Sequence, residues 1–182
     1  MPNVEYLMKG SRSIFWHRRD LRIDDNVGLS KASKSIQNLT GVYVLDPKLL
    51  DLELTTSKSK NWFLGNSLLE LQHNWKRLGS RLLILKGDPI KLIPKLVKLI
   101  NINSIFWNEN IEPYEQYRDN IIKKKLIKNN KQIYTFIDQL MIEPFRIRTN
   151  NNEPYRVYGP FYRKISHNSQ LYKKTTGIYR NI

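Results

Sequence analysis

The sequence contains no cysteine. That excludes disulfides, thiolate metal ligation and a cysteine nucleophile, and a reducing cytosol is the simplest compartment for such a chain. Its eight glycines never stand two positions apart, so GxGxxG is missing. GxxxxGK[ST] and GxSxG are missing too, and with them the usual signals of a nicotinamide enzyme, a phosphate loop or a nucleophile elbow. The three histidines, His17, His73 and His167, lack metal-ligand spacing. Neither a metal site nor a catalytic residue is expected, and His73 reads as a helix-surface residue. No apolar run reaches the roughly 18 residues that a membrane span needs. Met1 to Arg12 has charge but no apolar stretch, so it does not read as a secretory signal.

Acidic residues are also scarce. There are 16 of them against 31 lysines and arginines, a net charge of +15. Such a balance suits a polyanionic partner. A general enrichment in lysine, asparagine and isoleucine would produce the same number. The densest run, Lys123, Lys124, Lys125, Lys128 and Lys131, falls on an expected helix and would be solvated.

What is present is an alternation. Ser13–His17, Leu39–Leu45, Leu82–Lys86, Ser104–Asn108 and Gln132–Ile137 are short, nearly continuous apolar runs, as strands covered on both faces require. Helical patterns lie between them. Val27–Ser35 follows a capping Asn26. Leu64, Leu68, Leu71, Trp75 and Leu78 form one amphipathic stripe, started by Ser57 or Ser59 and stopped at Gly79. Residues 89–100 read as a helix with Pro94 in its first turn or at a kink. Tyr114, Tyr117, Ile121 and Leu126 mark another helix, ended by Asn129 and Asn130. Residues 154–163 read as aromatic and extended. The whole predicts an α/β fold: a Rossmann-like open five-stranded parallel sheet with helices on both faces.

Ligands of such sheets bind outside the carboxyl ends of the strands. Here those ends carry His17 to Arg22, Asp46-Pro47, Gly87-Asp88-Pro89 and Asn108 to Tyr114. One polar rim for a small, partly apolar ligand is expected. Within it, Arg19 suits either an anionic ligand or a contact to another domain. Arg22 is expected to pair with Asp20 or Asp25 as scaffold.

The segments on this rim resemble the DNA photolyase/cryptochrome family. FWHRRDLRIDDN (15–26) with Gly28 and Leu29 is similar to its opening motif, and VYVLDP (42–47) to its second strand. LGSRLLILKGDP (78–89), FWNENIEPYEQYRD (106–119) and PYRVYGPFYR (154–163) match its later segments in order. The resemblance implies a light-harvesting antenna domain, not catalytic alone, of a deoxyribodipyrimidine photolyase. The antenna chromophore would be 8-hydroxy-5-deazaflavin, alternatively methenyltetrahydrofolate, and the EPY sequence resembles deazaflavin-type, cyanobacterial-like members. It implies cofactor contacts at Arg19, Tyr43, Val44, Leu45, Asp46, Lys60, Asn110 and Glu112. Lys60 stands where the family pattern has an arginine, and Asn110 where it has an aspartate. Tyr43 and Leu45 also fit plain sheet core, since alternation lets only one face of a strand meet a ligand. The implied layout is an extension (1–12), the antenna domain (13–165) and a tail (166–182). The helical FAD-binding domain, supplied in cis or in trans, is absent, and DNA is reached only indirectly. The alternatives are a stand-alone nucleotide- or flavin-binding or regulatory module, and a small basic nucleic-acid binder.

Overall fold

A computed structural model of the chain describes residues 12–36, 38–53, 57–140, 142 and 146–167. Extension and tail, apart from Arg12, Ser166 and His167, lie outside these residues. Five strands, β1 (Arg12–His17), β2 (Asn38–Leu45), β3 (Leu82–Lys86), β4 (Ser104–Glu109) and β5 (Gln132–Ile137), form one parallel sheet in the order β3-β2-β1-β4-β5. The central strands β2, β1 and β4 are apolar on both sides because both sides are covered, while the edge strands β3 and β5 are only partly buried. Ile14, Trp16, Val42, Val44, Ile105 and Trp107 pack under α4 (Pro89–Leu99) and α5 (Pro113–Lys128) through Ile93, Val97, Ile122 and Leu126. Phe15, Leu39, Leu82 and Phe106 pack under α1 (Val27–Ser35) and α3 (Lys58–Arg77) through Leu29, Ala32, Leu71 and Trp75. The expected fold class is the observed one.

The helix ends follow from local chemistry. Asn26 Oδ1 accepts from the amide of Leu29, Ser57 Oγ from that of Lys60, and Asp88 Oδ1 from that of Ile90, each at a helix N-terminus. Ser57, not Ser59, is therefore the cap of α3. Leu68, Leu71 and Trp75 of its expected stripe are buried, and His73 is exposed. Pro94 lies inside α4 and cannot donate to the carbonyl of Ile90. Lys125 Nζ on the neighbouring α5 reaches that carbonyl at 3.2 Å.

Three expectations are corrected. The buried face of α5 is Glu115, Arg118, Asp119, Ile122 and Leu126, while Tyr117 is exposed. An apolar template misses a face whose upper half is made of ion pairs. Residues 158–166, expected to be extended in part, form α6 (Tyr158–Ser166). Gly159 and Pro160 sit in its first turn, where no amide has an intrahelical partner, and Tyr158 stacks on Tyr162 one turn on at 5.8 Å. A short helix unmarked by the hydrophobic pattern, α2 (Pro47–Glu53), follows β2. The lysine run is also not wholly solvated, because Lys123 Nζ holds Glu109 Oε1 at 2.5 Å.

Two glycines hold elements close. A Cβ on Gly28 would stand 2.4 Å from Asn108 Oδ1, so α1 can approach β4 only with glycine there. A Cβ on Gly41 would stand 2.6 Å from the Trp75 indole, which lies across β2.

Candidate functional site

Strand order reverses at β1, whose neighbours β2 and β4 leave in opposite directions. The crevice outside the carboxyl ends of the strands is where such sheets hold ligands. A cavity of 840 Å³ opens there. Its walls come from the end of β1 and the following loop (Trp16 to Arg19, Leu21), the end of β2 (Tyr43, Val44, Asp46), α2 (Leu49, Leu50), the first turns of α3 (Ser59, Lys60, Trp62 to Leu64) and α5 (Glu115, Arg118).

A balanced ionic cluster forms the floor. Arg18 Nη1 pairs with Asp119 Oδ2. Arg118 reaches Asp119 Oδ1 at 3.0 Å and Asp46 Oδ2 at 3.4 Å. All four side chains are at most 7% exposed. The Tyr114 hydroxyl donates to Asp46 Oδ2 at 2.8 Å, and the amide of Lys48 donates to its Oδ1. Both guanidinium groups lie over the Trp16 ring, at 5.3 Å for Arg18 and 4.9 Å for Arg118, within the range of a cation–π contact. Burial, with the hydrogen bond to Asp46, raises the Tyr114 hydroxyl well above its ordinary pKa, so it remains a donor. Arg18 Nε and Nη2 are buried without a hydrogen-bond partner. Burial lowers the pKa of this guanidinium, against the pull of Asp119.

A second group stands at the mouth. Asn110 Nδ2 donates to Glu115 Oε1 at 2.7 Å. Arg19 stands 3.4 Å from Glu112 Oε1 and 3.5 Å from Glu115 Oε2. Burial drives the Glu115 carboxyl up, helped by its hydrogen bond with Glu112 and opposed by Asn110, Arg19 and Arg118. Burial also opposes ionisation of Glu112, but the bond with Glu115, nearby backbone and Arg19 outweigh it and bring that carboxyl down.

His17 is held in one tautomer. Its Nε2 accepts from the Trp75 indole N–H at 2.9 Å, so Nδ1 carries the proton and donates to the Asp20 carbonyl, also at 2.9 Å. Burial lowers its pKa. The scaffold behind the site differs from the expected one. Asp20 accepts from Asn26, Asn108 and the amide of Arg18 rather than from Arg22. Arg22 binds the carbonyl of Asp25 and pairs at 2.6 Å with Asp138, a partner 116 residues away.

Of the residues nominated from sequence, Arg19, Tyr43, Val44, Asp46 and Lys60 line the cavity. Leu45, Asn110 and Glu112 are not on its wall; the last two touch it through Glu115 and Arg19 at its mouth. Tyr43 and Val44 pack on opposite faces of β2, and both border the cavity. Sequence reasoning missed Trp16, Arg18, Leu49, Leu50, Trp62, Phe63, Glu115 and Arg118. The position of Glu115 and Arg118 one and two turns after the rim of β4 was the signal that could have found them. The cavity fits an aromatic heterocycle with polar substituents: its volume lies in the ordinary range for small-molecule sites, its walls are largely aromatic and aliphatic, and unsatisfied polar atoms of Arg18 belong to residues that line it.

The chain is similar to known proteins over most of its length. The DNA photolyase family model matches residues 13–176. A deoxyribodipyrimidine photo-lyase of Synechococcus is 39% identical over 82% of this chain. An uncharacterized 31.6 kDa protein of a second Synechococcus strain is 34% identical over 84% of it. The chain spans 31% of the first relative's length and 54% of the second's. The crystal structure of the Sulfolobus tokodaii photolyase superposes with a TM-score of 0.80 at 26% identity, covering 93% of this chain and 37% of that one. A Synechocystis cryptochrome shares the fold, with a TM-score of 0.83 at 21% identity, covering 96% of this chain and 38% of its own. With five parallel strands in the matching order of segments and the family model covering nearly the whole described chain, the protein belongs to the DNA photolyase family.

Proposed function

We propose that residues 13–165 are the light-harvesting domain of a deoxyribodipyrimidine photolyase and that the cavity beyond β1 and β2 holds its antenna chromophore. The observation that carries this is the cavity itself: an aromatic-walled space of 840 Å³ at the switch point of the sheet, bordered by Arg19, Asp46 and Lys60. Bound there, the chromophore would absorb near-visible light and pass the excitation to FAD on a separate helical domain, in cis or in trans. Tyr43, Val44 and Trp16 provide apolar contact to such a ring. Lys60 brings a positive charge to one side of it. Arg19, steadied by Glu112 and Glu115, fixes the mouth. Asp46 has donors on both oxygens already, so its role is to hold Tyr114 and Arg118 in place. Asn110 acts likewise through Glu115. No step of dimer repair is assigned to this domain, and DNA is met through the FAD domain.

The first candidate is 8-hydroxy-5-deazaflavin, with methenyltetrahydrofolate as the alternative. The Sulfolobus tokodaii photolyase was solved with two FAD molecules and the implication of a novel light-harvesting cofactor, so FAD joins the ligands to be offered. The test is direct. The purified chain is incubated with each of the three and freed of excess. A bound fraction near one per chain, with the ligand's near-visible absorbance, is the expected result. Retention of none of the three refutes the antenna reading.

A further inference from the structure

Trp62 and Phe63 line the cavity and yet are 70% and 68% exposed. The other three tryptophans, Trp16, Trp75 and Trp107, are at most 1% exposed. Helix α3 docks on the sheet through Leu68, Leu71 and Trp75, further along its length. Its first two turns, which carry Ser59 to Leu64, project beyond that contact over the mouth of the cavity. Among the described residues, the contact of α3 with the sheet does not use these two large aromatics. Exposed apolar surface rimmed by polar residues marks a binding site, and these side chains already face one.

We propose that Trp62, with Phe63 beside it, is a ligand-clamping residue that stacks on a planar conjugated ring and closes the cavity against water. The proposal rests on the chromophore reading above and adds the residue that selects for ring shape. A flat heteroaromatic ligand offers an indole a full face, with offset stacking favoured over other arrangements. A ligand of the same size without a flat ring offers no such face. Lys60, in the same turn, carries a positive charge beside the stack and suits an anionic substituent on the ring. Because Trp62 alone among the tryptophans meets water, it also reports on its own cover.

The experiment uses the whole chain and its variants Trp62→Ala and Trp62→Phe, offered 8-hydroxy-5-deazaflavin, methenyltetrahydrofolate or FAD. Iodide quenching of tryptophan emission reads the exposure of Trp62, and Trp62→Ala supplies the baseline of the three buried indoles. Binding of one of the ligands is expected to abolish iodide quenching in the wild type. The Trp62→Ala variant should bind that ligand about tenfold to a hundredfold more weakly, the range seen when an aromatic platform under a base is removed. Trp62→Phe should keep most of the affinity. Circular dichroism and Tm should match the wild type in both, since the side chain packs on little. If a ligand binds while iodide still reaches Trp62, or Trp62→Ala binds it as tightly, the clamp is refuted and the chromophore reading stands. If no ligand binds any of the three proteins, both fall.

Discussion

Asp46→Asn tests the ionic floor of the cavity. In the folded protein two buried cations, Arg18 and Arg118, face two buried anions, Asp46 and Asp119. The amide keeps the shape of the carboxylate, so little packing is lost, but its single oxygen can accept from the Tyr114 hydroxyl or from the Lys48 amide and not from both. The charge is lost, leaving Arg118, whose side chain is 2% exposed, to share Asp119 with Arg18. Removing one member of a buried ion pair costs about 3–5 kcal/mol. Arg118 keeps Asp119 as a counter-ion at 3.0 Å, which places this variant near the lower figure, about 3 kcal/mol. For a chain of this length that corresponds to a fall in Tm of about 6–12 °C. The partner variant Asp46→Asn/Arg118→Met restores neutrality, because Arg18 and Asp119 remain as a pair. Buried ions replaced by apolar groups of similar volume are often tolerated. The double variant should therefore be less destabilised than the sum of the singles, by at least about 1.5 kcal/mol, the scale of coupling within one network. Urea unfolding of the four proteins gives each quantity. A cost below about 1 kcal/mol for Asp46→Asn, or additivity within about 0.5 kcal/mol, would show that the cluster does not act as a charge-balanced unit.

Gly28→Ala should lower stability by about 2–4 kcal/mol, from overpacking together with disturbance of the hydrogen bond between the Gly28 amide and Asn108; a melting curve that overlays the wild type would contradict the close approach of α1 to β4. The buried His17 has a lowered pKa, so the unfolded chain takes up a proton that the folded one resists. Stability from this residue is full above the unfolded value of about 6.5 and is lost as pH falls below it. In His17→Gln that part of the pH dependence should vanish, and an unchanged slope between about pH 6.5 and 5 would rule the account out. Glu115 has the opposite sign. Its raised pKa makes its contribution full at low pH and lost as pH rises through its folded titration, so Glu115→Gln should hold its stability better than the wild type on the alkaline side of that titration. Equal profiles would mean that the carboxyl is not proton-bearing in the folded state.

The strands were legible because each is a short apolar run bounded by charge or glycine, and a strand covered on both faces needs nothing else. Helix α3 was legible from a single 3.6-residue stripe, and the rim followed from a rule about where parallel sheets end. Helix α5 was legible in extent, but its buried face was misread for a physical reason. Its buried face includes Glu115, Arg118 and Asp119, and a pattern of apolar residues has no symbol for a charge that is buried because its partner is. The partners are remote: Arg118 meets Asp46 across 72 residues and Arg18 meets Asp119 across 101. Arg22 was given the carboxylate of a neighbour in sequence; it holds only the main-chain carbonyl of Asp25 and takes its carboxylate from Asp138.

The sequence by itself determined the class of fold, the five strands and the family motifs, and the resemblance those motifs carry nominated five of the residues that line the cavity. Those properties are local or periodic, and each is set by the burial of one segment at a time. Only the tertiary structure decided which charges face one another, that Tyr43 and Val44 border the cavity while Leu45 does not, and that Trp62 and Phe63 stand over its mouth. These depend on how a strand end, a loop and two helices meet at one point, and no stretch of sequence contains more than one of them.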